Sequence, residues 1–160
     1  MSQVRFAQSE DIPALVDLGR QMHVKSRYAW MQFNAKRLWD SLEAAIPNTR
    51  HCLIVATSGA KAGEVEFEKK IGVLWACITS LPFSRELIAQ VDYLYVVPKW
   101  RGSPVAMKMM AGLRRWAQNR EVGEIIINNT WASEQPYSGK FLNKLGIASI
   151  GTVHSIWMNR

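Results

Sequence analysis

Cysteine is scarce in this chain: among 160 residues there are two, Cys52 and Cys77, each set inside an apolar run. Thiols so placed behave as small core hydrophobes, which argues against a disulfide-stapled fold and for a reducing, cytoplasmic setting. Histidine is nearly as rare. His23, His51 and His154 are scattered, with none spaced against a cysteine or another histidine as zinc ligands are, so no metal is expected and no Ser-His-Asp arrangement can be built. No stretch approaches the roughly 20 apolar residues that a bilayer span requires. The opening Met1-Ser2-Gln3-Val4-Arg5 has no basic region leading into an apolar run, so neither export nor membrane insertion is expected, and Asn128-Asn129-Thr130 has no route to glycosylation. Repeats, low-complexity tracts and internal linkers are also missing, and residues 1–160 read as one domain.

Acidic residues thin out along the chain. Up to Pro98 there are 11 basic and 10 acidic residues, whereas Lys99 to Arg160 hold 9 basic against 3 acidic, which is nearly the whole of the +7 formal charge. Such a field favours a polyanion: nucleic acid, an acidic membrane surface or a phosphorylated cofactor. At 48% hydrophobic and 21% charged, the rest of the composition is that of a globular protein with enough apolar surface for a core.

Gln3–Ala7 alternates like a strand. Ser9 is placed to cap a helix in which Ile12, Leu15, Val16, Leu18 and Met22 recur with a 3.6-residue period, and a second helix is expected from about Asn34 to Ala45, stopped before Pro47. Between them lies an aromatic loop holding Tyr28, Trp30, Met31 and Phe33. His51–Thr57 reads as an apolar strand, Ser58–Gly63 as a turn, and Glu64 to Thr79 as the returning strand. Ala89–Val97 has the β-branched and aromatic content of a central strand, with one acid, Asp92, inside it. A helix to about Asn119 follows, with Val105, Met109, Leu113, Trp116 and Ala117 on one face, and Met107 and Met110 are also expected in the core. Glu124–Asn128 then reads as a strand, Ser138–Leu145 as a helix, and Ala148–Val153 with His154–Met158 as two closing strands. The order predicts a mixed α/β (α+β) domain, a mostly antiparallel sheet flanked by helices.

The chemistry is concentrated between strand and helix, at Lys99-Trp100-Arg101-Gly102-Ser103-Pro104. Ser103 as N-cap and Pro104 at the first helical position would leave the amides of Arg101 to Val105 converging on an anion, with Arg101 or Lys99 alongside. Neither a P-loop nor a three-glycine dinucleotide motif is present, so ATPase and dehydrogenase readings weaken.

Over Val91 to Ala106 the chain resembles the GCN5-related N-acetyltransferase superfamily, whose strand ending in V-x-P runs into R-G-x-G-x-G/A opening a helix. Pro98, Arg101, Gly102 and Ala106 match, Pro104 stands where the second glycine belongs, and Phe141–Ile147 is similar to the family's Y-E-K-L-G-F ending. The resemblance implies acetyl-CoA as cofactor. Its pantetheine arm would pair with the backbone of Leu94, Tyr95, Val96 and Val97, with the thioester near Tyr95 and Val97. Its pyrophosphate would lie on Arg101, Gly102, Ser103, Pro104, Val105 and Ala106. Asn128 or Asn129, and Ser138 or Lys140, would contact the rest of the arm.

Acetyl transfer needs a neutral amine, hence a base; Asp92 stands where family members often carry an acid, and burial raises a carboxylate toward a useful range. The family's frequent tyrosine corresponds to Leu142 here, so either Tyr137 protonates the leaving thiolate or it departs unassisted. In such a fold Tyr28, Trp30 and Phe33 would either border the acceptor side or belong to a loop folded onto the core, and the acceptor would be a small molecule or a peptide amine. The rival expectation is a non-catalytic module using its basic part for nucleic acid or a protein partner. No recognition-helix or RNA-binding aromatic signature supports it. A monomer or a homodimer fits equally.

Overall fold

The computed structural model describes residues 1–62, 65–128 and 135–158; for 60–62, 65–67 and 135–138 it describes the backbone alone. One sheet runs in chain order through β1 (Ser2–Phe6), β2 (His51–Ala62), β3 (Val65–Ser80), β4 (Leu87–Val96) and β5 (Glu124–Ile127). The first four strands are antiparallel neighbours, while β5 lies parallel to β4. A parallel neighbour requires a crossover, and α3 (Val105–Gln118) supplies it. The mixed, mostly antiparallel architecture expected from the sequence is the one observed.

Both faces of the sheet are covered, which is why β2 reads as a continuous apolar run. Its Leu53 and Val55 meet Ile12, Leu15, Leu18 and Leu42 of α1 (Ile12–Val24) and α2 (Ala35–Ala45). Its Cys52, Ile54 and Ala56 join Val105, Met109, Leu113 and Trp116 of α3, with Phe141 of α4 (Gln135–Lys144) at the margin. Burial pushes the Cys52 thiol up to about 12, so it is inert packing.

Local signals set the helix ends. The Asn34 side chain accepts the Arg37 N–H at 2.9 Å, starting α2 where expected. Before α1, in place of a Ser9 cap, the Asp11 carboxylate accepts the Gln8 N–H at 2.8 Å. Asp11 is 2% exposed, so its charge needs partners: Arg5 grips both oxygens at 2.7 and 2.9 Å, and Lys70 stands 2.9 Å away. Burial alone would raise this carboxyl, but the bonds from Arg5 and Lys70 hold it well below the usual range.

Four expectations are corrected. The β2–β3 ladder pairs Ser58 to Ala62 with Val65 to Lys69, because cross-strand bonding carries the strands through the segment read as a turn. Met107 is 55% exposed, since it falls off the stripe formed by Met109, Met110 and Leu113. The first helical residue is Val105, with Pro104 as N-cap at φ −67°, one residue later than expected. Residues 148–158 form no strand: the alternation is present, but among the described residues no ladder partner is, and Ile150, Val153, Ile156 and Met158 stay exposed.

Candidate active site

The site begins where two strands part. Along β4, Ile88 to Val91 pair with Glu124 to Ile127, and the Asn128 N–H donates to Val91 O at 3.0 Å; the described pairing ends there, while β4 continues to Val96. Asp92 sits at that point. Against β3 the register runs from Trp75↔Tyr93 to Ala76↔Val91, so Asp92 is the extra residue of a β-bulge.

Beyond the bulge the hydrogen-bonding parity is fixed by one bond: the Val97 N–H donates to Ile71 O at 2.9 Å. Antiparallel pairs alternate, so Val97, Tyr95 and Tyr93 spend their backbone groups on β3, and Leu94 and Val96 turn theirs toward the opening left by β5. The groups available for an extended ligand are thus those of Leu94 and Val96, not the Tyr95 and Val97 expected to hold the thioester. The Val96 carbonyl accepts the Arg101 Nε–H at 3.2 Å, which lays the guanidinium along this edge and 6.0 Å from the Tyr95 ring. The Tyr95 hydroxyl is buried without a described hydrogen-bond partner, and burial raises its pKa.

After β4 the chain makes a 3-10 turn, Pro98–Trp100, then reaches Gly102 at φ +81°, a left-handed conformation that a side chain disfavours. Trp100 packs on the core beneath. Ser103 donates its hydroxyl to Trp100 O at 2.6 Å, and its Oγ lies 3.4 Å from the Val105 N–H. The first helical bond from this end is Lys108 N–H to Pro104 O, 2.9 Å. The N–H groups of Gly102, Ala106 and Met107 donate to no described protein acceptor, so an amide cluster at the positive end of a 14-residue helix faces outward beside Arg101. Pro104 contributes no donor there. Its φ of −67° is the proline value, so it holds the turn without strain.

Asp92 lies on the α1/α2 side of the sheet. Its Oδ1 accepts the Gln90 side-chain N–H at 2.9 Å and its Oδ2 meets the Cys77 thiol at 3.7 Å. Burial, then the Asp92 charge, raises the Cys77 thiol, and burial followed by Asp92 and Tyr28 raises the Tyr93 phenol. Tyr93 faces Trp75 across the ladder with ring centroids 5.7 Å apart, and the Trp75 indole N–H donates to His51 Nδ1 at 3.0 Å. Sequence reasoning missed Trp75 and Tyr93; period-2 alternation around Asp92 was the available signal, but the bulge shifts it.

The other expected residues divide. Tyr28 lies close enough to Tyr93 to raise its phenol, and Trp30 is half exposed nearby in sequence. Phe33 instead packs under α1, 5.4 Å from the His23 ring with the Arg20 guanidinium 4.7 Å above it. Asn128 holds the fork through its backbone, and Lys140 is exposed on α4. Asn129 lies outside the described residues, as do the side chains of Tyr137 and Ser138. Among the described residues no group of three His, Cys, Asp or Glu is placed to hold a metal.

No protein-family model matches the chain, and no curated protein sequence does. Solved structures do. The aminoglycoside N-acetyltransferase AAC(6')-Iy, in complex with the bisubstrate analogue CoA-S-monomethyl-acetylneamine, superposes with a TM-score of 0.74 at 17% identity, covering 100% of this chain and 99% of that one. Glucosamine-6-phosphate N-acetyltransferase from Arabidopsis thaliana gives 0.74 at 14% identity, with 99% of each chain covered. A transcriptional regulator from Bacillus halodurans C-125 gives 0.72 at 15% identity, covering 99% of this chain and 100% of that chain. Likeness at such low identity, over whole chains, is likeness of fold, and the fold of this chain is that of the GCN5-related N-acetyltransferases.

Proposed function

We propose that this protein is an acetyl-CoA-dependent N-acetyltransferase that acts on a primary amine. The observation that carries the reading is the parting of β4 from β5 at Asp92, which turns the backbone of Leu94 and Val96 outward next to the unengaged amides of Gly102, Ala106 and Met107. A ligand with an amide-bearing arm and a pyrophosphate matches that pair of features: strand backbone for the arm, helix N-terminus for the charge. Two of the three likenesses described above support it, both being acetyltransferases by name and one having been solved with a CoA analogue.

When bound, acetyl-CoA supplies the acetyl thioester as electrophile. Leu94 and Val96 would hold the arm, and the loop with Arg101 the phosphates. Asp92 would accept the proton of the acceptor ammonium, directly or through water, so that the free amine forms the C–N bond as the C–S bond breaks. The departing thiolate would take its proton from Tyr137 or from water. Part of the basic excess ties elements together rather than serving a polyanion: Lys108 bonds Ser2 O at 3.1 Å, and Arg120 bonds Thr49 O at 2.9 Å while covering Trp116. That use favours the enzyme over the nucleic-acid-binding module.

Calorimetric titration with acetyl-CoA, and with a DNA oligonucleotide for comparison, tests the reading. Saturable micromolar binding of acetyl-CoA is expected, and Asp92→Asn should keep that binding while losing turnover. Salt-sensitive DNA binding without a response to acetyl-CoA would overturn it.

A further inference from the structure

The acceptor side of the fork is built of aromatic rings around one carboxylate. Trp75 and Tyr93 pair across β3 and β4 directly beside Asp92. Tyr28, near enough to act on the Tyr93 phenol, is fixed by its own loop: buried Ser26 donates its hydroxyl to His23 O at 2.8 Å and accepts the Tyr28 N–H at 3.1 Å, closing the turn after α1. The loop also gathers the last described segment, since Arg27 spans from the Tyr28 ring at 5.4 Å to Ser155 Oγ at 2.9 Å. Trp30 and Trp157 then meet at 5.3 Å, with relative exposures of 48% and 65%. The result is two ring pairs, Trp75 with Tyr93 beside Asp92 and Trp30 with Trp157 at an exposed rim.

The charge around these rings is unlike what a polycationic acceptor needs. Asp92 is the carboxylate that acts on Tyr93 and Cys77, whereas the cations Arg27 and Arg50 stand against Tyr28 and Cys77. Three further carboxylates are engaged elsewhere: Asp11 and Glu68 with Arg5 and Lys70, and Asp40 with Lys36. An acceptor with several ammonium groups would bring its charges against these two cations as well as to Asp92. A single ammonium finds Asp92, and a flat apolar body finds ring faces.

We propose that the acceptor is an arylalkylamine, one primary ammonium on an aromatic body, seated between Asp92 and the rings of Tyr28, Trp30, Trp75, Tyr93 and Trp157. The inference rests on the acetyltransferase reading and names its acceptor class. It separates this chain from the aminoglycoside enzymes that share its fold.

The test compares kcat/KM for tryptamine, butylamine, spermidine and kanamycin at saturating acetyl-CoA, with acetyl-CoA binding measured separately by calorimetry. Tryptamine is expected to exceed butylamine by about tenfold or more, from ring contacts alone, and to exceed kanamycin and spermidine by a larger factor. Trp30→Ala should raise KM for tryptamine several-fold more than KM for butylamine, a split which a general loss of structure would not produce. Kanamycin or spermidine equal to tryptamine, or a Trp30→Ala effect common to tryptamine and butylamine, would overturn the acceptor class. Binding of acetyl-CoA without turnover of tryptamine overturns the acceptor class alone. No binding of acetyl-CoA overturns the reading beneath it as well.

Discussion

Placing a carboxylate at the mouth of α3 should strengthen the fold and weaken the cofactor together. In Ala106→Glu the new charge sits at the second helical position, within the first turn, where the helix dipole favours an anion by about 0.3–1 kcal/mol. A bound pyrophosphate would bring about two negative charges within roughly 6 Å of it, each costing about 3 kcal/mol at an effective dielectric near 20. Salt and solvent at an exposed helix end reduce the sum, by about half. The remainder, about 3 kcal/mol, corresponds to a loss of acetyl-CoA affinity on the order of 100-fold. Ala106→Gln has the same length without the charge, so the ratio between the two variants isolates the electrostatic part. Calorimetry gives the affinities and chemical denaturation the stabilities. If Ala106→Glu and Ala106→Gln bind acetyl-CoA equally, no phosphate lies at this helix end and the placement of the cofactor is refuted.

Three further outcomes follow from the same geometry. Gly102→Ala should destabilise by about 1–2 kcal/mol in denaturant melts, because φ +81° is strained for a side chain although the space beside it is open; an unchanged midpoint would refute the left-handed turn. Pro104→Gly should restore one amide donor and tighten acetyl-CoA severalfold, while lowering stability by about 0.4–1 kcal/mol through the freer unfolded chain; looser binding would mean that the rigid turn outweighs the missing donor. The Glu68 carboxyl, bonded by Arg5 and Lys70, lies at about 2 against an ordinary 4.5, and Asp11 is depressed as well. A depressed folded pKa gives stability that is present above the unfolded value and lost as pH falls toward the folded one. Stability should therefore drop between about pH 4.5 and pH 2, and Asp11→Asn should flatten that slope; an unaltered slope would refute the assignment.

The fold was legible because its cues are local or periodic. Asn34 before Ala35, the apolar stripe from Val105 to Ala117, and the β-branched run at Leu87 to Val96 each specify an element without knowledge of its neighbours. Asp92 was legible as an anomaly, an acid in an apolar strand. What could not be read was geometry that arises between strands. Whether Leu94 or Tyr95 faces the opening depends on a register shift at Trp75/Ala76, and period-2 alternation has no means of announcing an extra residue. The closing strands failed for the opposite reason: residues 148–158 carry the alternation, but alternation specifies a pleat only where a ladder exists to use it.

The bulge at Asp92 is therefore the feature on which both halves of the site depend. Without it, Ala89, Val91, Tyr93 and Tyr95 would share one face of β4. With it, Val91 joins Leu94 and Val96 against α3, and Tyr95 joins the α1/α2 core. A single inserted residue thus sends two tyrosines to the α1/α2 side, and it stands where the described pairing of β5 ends. That places the only acid of β4 between an open strand edge and the paired rings of Trp75 and Tyr93. A donor held by backbone and an acceptor held by side chains would approach such a carboxylate from different sides, which is the arrangement that the proposed direct transfer in a ternary complex requires.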